Sequence, residues 1–340
     1  MSASYETQTR QEATRRRFFL KLMLYIFVFA FLIVATLCFY VTQPVWVSRS
    51  ERNYRSDPSK LETHVRALSE KLSPRNESHT ENLDTAAAYI RREFESAGAR
   101  GVSEQPYQVN GRTYRNVVAF FGPETPERIV VGAHYDAAGP RPGADDNASG
   151  VAGLIELARL LGKSSPPVKV ELVAYTLEEP PFFRSQYMGS YIHAQALRNE
   201  GARVRAMFSL EMIGYFSDEE GSQRFPVPVL RLFYPTKGNF ISVIGKMGQA
   251  LLVRKIKGAM KGASSLPVYS INAPRSIPGV DFSDHMNYWD AGYPAVMITD
   301  TAFYRNLNYH TTADTAEKLD YNRMAQVVEG VYAAVLELAR

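Results

Sequence analysis

The stretch RIVVGAHYDAAGPRPGADDNASGVAGLIELARLL, Arg128 to Leu161, reads as three parts. RIVVGA is a short apolar run, the pattern of a buried strand, and it delivers His134 at its carboxyl end. ASGVAGLIELARLL spaces Val151, Leu154, Ile155, Ala158 and Leu161 along one face of a helix. The loop between them, Gly132 to Gly150, carries His134, Asp136, Asp145 and Asp146 among glycine, proline and alanine, and offers little that fills a core. Strand, loop and helix in this order form the unit of an open α/β sheet, whose ligands sit beyond the carboxyl ends of the strands. Asp145, Asp146 and Asn147 stand where a helix cap is wanted, yet a cap takes one such residue and three are present.

Three more runs place ligating side chains at comparable positions. VKVELVAYTLEEPP, Val168 to Pro181, is a strand ending in Glu178 and Glu179. Two carboxylates at a buried strand end are costly unless something positive meets them. Neighbouring side chains in extended chain point to opposite sides, so one can bind a metal while the other faces a water. Pro180 holds Glu179 in extended backbone. VRAMFSLEMIGY, Val204 to Tyr215, sets Glu211 inside an apolar run, where a lone carboxylate needs a partner. NYHTTADT, Asn308 to Thr315, puts His310 on a loop before the last helix. His134, Asp146, Glu179, Glu211 and His310 are thus five candidate ligands, and imidazole with carboxylate suits zinc, manganese or cobalt. Five ligands exceed one tetrahedral zinc; with one bridging carboxylate they suit two metals about 3.5–4 Å apart.

The rest of the chain agrees with an α/β architecture. NVVAFF (116–121), VLRLFY (229–234) and AVMIT (295–299) read as further strands. Helical periodicity runs through 60–72, 80–98, 148–162, 186–199, 239–257 and 315–338, the second of these ending at Gly98. The expected fold is a mostly parallel mixed β-sheet with helices on both faces, preceded by one N-terminal transmembrane helix. That helix is LMLYIFVFAFLIVATLCFYV, Leu22 to Val41, uncharged and long enough to span a bilayer. Arg15, Arg16, Arg17 and Lys21 precede it, and no clean small-residue cleavage site follows. The expected organisation is a cytoplasmic tail over 1–17, an anchor over 18–41, a linker over 42–58 and a catalytic domain over 59–340 outside the cytoplasm, on the periplasmic or extracellular side. The net charge of +4, with no long basic run beyond the N-terminus, gives nucleic-acid binding no support. A single cysteine, Cys38, leaves neither an intrachain disulfide nor a cysteine-rich zinc site. Oligomeric state is not legible.

As a set, GAHYD, GADDNASG, LEE, LEMIGY, SDHMNYWDAGYPAVM and YHTTADT resemble the co-catalytic zinc exopeptidases of metallopeptidase family 28, which include leucyl aminopeptidases. The resemblance covers about residues 60–340 and implies the zinc-peptidase, phosphorylase/hydrolase-like fold. It implies two zinc ions: His134 and Glu211 on one, Glu179 and His310 on the other, Asp146 bridging. It gives Asp136 the orientation of His134 and Glu178 the role of general base and acid. Asp284 and His285 would lie near the site without ligating, and the Asp146–Asn147 peptide would be cis. The substrates would be peptides, cleaved at their N-terminal residues. A glutaminyl-cyclase-like transferase with one zinc, a carboxypeptidase and a non-catalytic binding domain are the alternatives on this fold.

Three departures stand out. The family's common enzymes carry Asp where this chain has Glu211. A longer PPFFRSQYM segment, Pro180 to Met188, brings Phe182, Phe183 and Tyr187 close to the site, either lining a hydrophobic substrate pocket or packing locally. The tyrosine that some relatives place shortly before SDH is absent from PGVDF, Pro278 to Phe282.

Overall fold

A computed structural model describes residues 2–45, 47 and 55–340. The chain divides into two compact units, Met1–Pro44 and Val45–Arg340. The first is a single helix, α1 (Ser2–Thr42). Its Thr14–Thr42 stretch, of mean hydropathy 2.8, is long and apolar enough to cross a membrane. Phe27 and Phe29 are about two-thirds exposed, at 69% and 67%, so this helix buries its apolar surface against nothing in its own unit. The tail before Phe18 continues the same helix. Most of the expected linker, residues 46 and 48–54, lies outside the described residues.

The second unit begins with α2 (Pro58–Arg66) and α3 (Thr80–Ser96), the latter followed by Gly98 at φ +83° as its composition requires. Then come β1 (Gly101–Val109), β2 (Arg112–Phe121), β3 (Glu127–His134), α4 (Gly150–Leu161), β4 (Lys169–Tyr175), α5 (Gly189–Asn199) and β5 (Arg203–Glu211). The remainder is β6 (Ile241–Lys246), α6 (Ala250–Ala263), β7 (Val268–Ala273), α7 (His285–Asp290), β8 (Ala295–Thr299) and α8 (Tyr321–Ala339). The strands form one mixed sheet in the order β1-β2-β4-β3-β5-β8-β6-β7. The centre, β4-β3-β5-β8, is parallel. It is buried on both faces, which is why apolar residues dominate these strands, although β4 also buries Lys169 and Glu171, the latter paired with Arg128. One face packs on α3, α4, α6 and α8, the other on α5 and α7. The carboxyl ends of β3, β4 and β5 therefore lie along one edge, and the chain segments that leave them carry His134, Glu178, Glu179 and Glu211.

Two expectations fail, both outside this centre. VLRLFY is not a strand: Pro228–Leu232 forms a short 3₁₀ turn, with Leu232 80% exposed. Pro226, Pro228 and Pro235 deny the run the N–H groups and backbone freedom that a ladder needs. The helix expected over 239–257 is two elements, β6 and then α6, separated by Gly248 at φ +89°. The β-branched ISVI stretch pairs with β7 and β8, and only the chain beyond Gln249 turns helical. Of the three strands not anticipated, β1 and β7 are the edges of the sheet and β6 lies next to β7. β1 is mostly polar and contains Pro106, both features of an edge strand.

Candidate metal centre

Each candidate ligand is delivered by a separate element. His134 is the last residue of β3, Glu211 the last of β5. Glu178 and Glu179 follow β4, Asp146 lies in the turn leading into α4, and His310 sits on the loop before α8 at φ +55°. All but His310 are buried. The tertiary fold brings them into two groups. His134, Asp146 and Glu211 form one; Asp146, Glu179 and His310 form the other.

Asp146 belongs to both because its two oxygens diverge. Oδ1 lies 3.4 Å from His134 Nε2, and Oδ2 lies 3.0 Å from His310 Nε2. Glu211 Oε2 is 3.4 Å from His134 Nε2, and Glu179 Oε2 is 3.1 Å from His310 Nε2. Glu178 Oε2 stands farther off, 3.9 Å from His134 Nε2, and belongs to neither group. The adjacent glutamates therefore do reach different imidazoles, although they leave β4 through a bend, with Leu177 at φ +61°, and not in extended strand. Despite these short distances, His134 Nε2, His310 Nε2, Asp146 Oδ2 and Glu179 Oε1 are buried without a hydrogen-bond partner. Buried polar atoms are seldom left so, and these four, divided between the two groups, suit bound cations.

The charge balance points the same way. Burial pushes Glu178 well above the usual carboxylate range; His134 offsets this, and Glu211 and Glu179 add to it. Burial and the nearby Asp146 push Glu179 up to about 8 against the pull of His310. Burial opposes a charge on His310, but Asp146 and Glu179 outweigh it and hold the imidazole up at about 10. The same contest, with Glu211 and Glu178 against burial, raises His134. Burial would raise Asp146 too, but the two imidazoles overrule it and hold it low. This donor set keeps protons between its members, and binding a divalent cation would release them.

A further layer of contacts fixes the donors. Asp136 accepts hydrogen bonds from the backbone N–H groups of Glu178 (3.2 Å) and Glu179 (3.1 Å), and its carboxylate also lies 3.5 Å from His134 Nδ1. Orientation of His134 is thus one of its tasks; shaping the glutamate turn is the other. The three residues ahead of α4 also divide their work. Asp145 accepts from the Gly214 N–H and from Asn306, and Asn147 accepts from the N–H groups of Gly150 and Met212 and donates to Leu210 O. Asp146 is the one left to face the donors. The Asp146–Asn147 peptide is cis. Gly143, at φ +57°, leaves no room for a side chain, since a Cβ there would lie 2.2 Å from Asp146 O.

Four contributors escape a sequence reading. Arg75 is fully buried and donates to the carbonyls of Leu68, Tyr135, Pro142 and Gly143, tying down the loop; nothing around it in sequence signals this. Asp314 accepts from the N–H groups of Asp145 (3.0 Å) and Asp146 (3.1 Å). Ser283 donates to Glu211 Oε2 at 2.7 Å, so the longer side chain at this position is held toward His134. Tyr309 stacks on His310 with ring centroids 3.8 Å apart, and its hydroxyl makes no hydrogen bond among the described residues.

Glu211 and Tyr309 also border a cavity of about 140 Å³, whose other walls include Phe225, Tyr234, Tyr269, Ile271, Phe282 and Phe303. Phe182, Phe183 and Tyr187 are not among those walls. Phe182 packs edge-on against Tyr114 and Tyr187, and Phe183 reaches the cavity only through Phe282, 5.9 Å away. Asp284 and His285 are buried beneath the site rather than in the cavity. His285 Nε2 lies 2.9 Å from Val280 O, and burial holds its imidazole down at about 4.

The model of peptidase family M28 matches residues 116–335. The chain is 47% identical over 315 residues to the uncharacterized protein YfbL of Escherichia coli (strain K12), an alignment covering 90% of this chain and 96% of that one. It is 27% identical to leucine aminopeptidase 1 of Phaeosphaeria nodorum, across 66% of this chain and 55% of the relative. BSAP, a zinc aminopeptidase from Bacillus subtilis, superposes with a TM-score of 0.67 at 16% identity, covering 84% of this chain and 96% of that one. A glutaminyl cyclase from Fimbriiglobus ruber superposes with a TM-score of 0.65 at 20% identity, covering 86% and 99%.

Proposed function

Because the chain belongs to peptidase family M28, we propose that it is a membrane-anchored, zinc-dependent aminopeptidase that removes apolar N-terminal residues from peptides. The observation that carries this reading is the pair of donor groups sharing Asp146, with Glu178 beside them but outside both. His134 and Glu211 would hold one zinc, Glu179 and His310 the other, and Asp146 would bridge. When bound, the ions supply Lewis acidity and a counter-charge for the oxygen that becomes anionic.

The protein's own groups supply the rest. Glu178, kept basic by its buried site, takes the proton of the attacking water and passes it to the leaving amine. Asp136 holds the turn that separates Glu178 from Glu179, so the base and the ligand keep their opposite directions. The free Tyr309 hydroxyl donates to the scissile carbonyl oxygen, a task for which the segment before Ser283 offers no tyrosine. The apolar cavity beside Glu211 and Tyr309 takes the N-terminal side chain and sheds its water. Glutaminyl cyclases share the fold as closely as aminopeptidases do, so the fold does not separate them. The completeness of the second donor group favours a two-ion hydrolase.

Full-length protein in detergent is expected to bind two zinc ions per chain and to hydrolyse Leu-, Phe- and Met-p-nitroanilide. Chelation should stop turnover and added zinc restore it. One zinc per chain, with pyroglutamate formed from Gln-peptides and no hydrolysis, would establish the cyclase instead.

The N-terminal helix anchors this domain on the outer side, with the basic residues before it in the cytoplasm. Protease added to intact cells, or to cells with only the outer barrier opened, should digest the domain. Protection until lysis would reverse the orientation.

A further inference from the structure

The two donor groups have different surroundings. Glu211, from the first, is in the wall of the apolar cavity. Asp146 and His310, from the second, line a closed seam with Arg141, Thr311 and Asp314 that has no room for a water. Arg141 is half-buried, and among the described residues only one of its N–H groups is used, in a 2.8 Å hydrogen bond from Nη1 to Ala138 O. It has no carboxylate partner among the described residues. That is unusual for a cation beside a cluster of acids, and it differs from Arg75, whose guanidinium is fully buried and saturated by carbonyls.

We infer that Arg141 is a specificity residue for a carboxylate one residue beyond the scissile bond, which makes dipeptides the preferred substrates. This rests on the aminopeptidase reading. With the N-terminal side chain in the apolar cavity, the peptide crosses Asp146 and its next residue lies over the exposed part of Arg141, outside the closed seam. In a dipeptide that residue ends in a carboxylate, a single Cα step of about 3.8 Å past the N-terminal residue. A guanidinium with unused donors matches a carboxylate in charge and fork geometry. Longer peptides present a neutral amide there, or a carboxylate only if the side chain is acidic.

The test compares Leu-Gly, Leu-Gly-amide, Leu-Gln-amide and Leu-Glu-amide on full-length protein in its wild-type, Arg141→Gln and Arg141→Lys forms. Wild type should favour Leu-Gly over its amide about tenfold or more in kcat/KM, mostly through KM, the size of one charge-assisted hydrogen bond. Arg141→Gln should bring that ratio near one, and Arg141→Lys should restore part of it, which a merely structural role in the loop would not do. Equal treatment of acid and amide by wild type, or a ratio untouched in Arg141→Gln, overturns the inference. So does a preference confined to Leu-Glu-amide over Leu-Gln-amide, which would assign Arg141 to a side-chain carboxylate. Binding of the uncleavable isostere Leu-ψ(CH₂NH)-Gly, as acid and as amide, reads the same discrimination without turnover. Discrimination in binding without hydrolysis of any substrate would refute the aminopeptidase and keep the Arg141 site; hydrolysis without discrimination would do the reverse.

Discussion

Asp146→Asn is expected to empty both metal positions and to abolish hydrolysis. Asp146 is the one residue common to the two donor groups, with an oxygen turned to each imidazole. A carboxamide keeps the shape, and the backbone hydrogen bond from residue 146 to Asp314 does not involve the side chain. It offers one neutral oxygen where two anionic ones stood. Loss of a partner that merely orients a ligand costs about 10–100-fold in metal affinity or activity. Loss of a ligand to both ions should exceed that for each of them. Zinc analysis after gel filtration should give less than one ion per chain, with circular dichroism unchanged. Two retained ions would show that Asp146 does not bridge, and would return the site to two independent positions.

Glu178→Gln should give the opposite pattern: both ions retained, turnover nearly lost. The carboxylate is outside both donor groups, so its loss removes no ligand. It removes the base, and kcat should fall by the roughly 10²–10⁴-fold typical of a missing general base, with a smaller change in KM. Glu179→Gln, one residue along, should instead weaken zinc, because Glu179 Oε2 lies with His310 in the second group. Zinc content measured beside steady-state kinetics on aminoacyl-p-nitroanilides separates the two variants. Zinc lost from Glu178→Gln and kept by Glu179→Gln would exchange the roles. Wild-type kcat in Glu178→Gln would rule out hydrolysis at this site.

How far such assignments were legible depended on distance along the chain. The central strands announce themselves because parallel strands buried on both faces must be mainly apolar, as β8 is and as β4 is apart from Lys169 and the Arg128-paired Glu171. The edge strands β1 and β7 did not, because one side of each faces solvent and tolerates polar residues. The 229–234 and 239–257 segments misled for a related reason: apolar content was visible, but the prolines and Gly248 that cut it decide its form.

At the site, ligand types and the divergence of Glu178 from Glu179 follow from local chemistry. A strand end must present something to solvent or to a ligand, and adjacent side chains leave the backbone in different directions, here from a bend and not from extended strand. These are properties of a few consecutive residues, so a single chain read in order contains them. The grouping of His134, Asp146, Glu179, Glu211 and His310 into two sets with one shared carboxylate is not local. Nor is the burial of Arg75 under the loop, the grip of Asp314 on the N–H groups of Asp145 and Asp146, or the stacking of Tyr309 on His310 in a cavity walled by residues from β6, β7 and the loops around them. The same holds for Phe182 and Tyr187, whose apolar rings serve a pocket or a core equally well until their neighbours are known. Residue type sets what a side chain can do; which partners stand within 3 or 4 Å of it is settled only when β3, β4, β5 and the loop before α8 pack together.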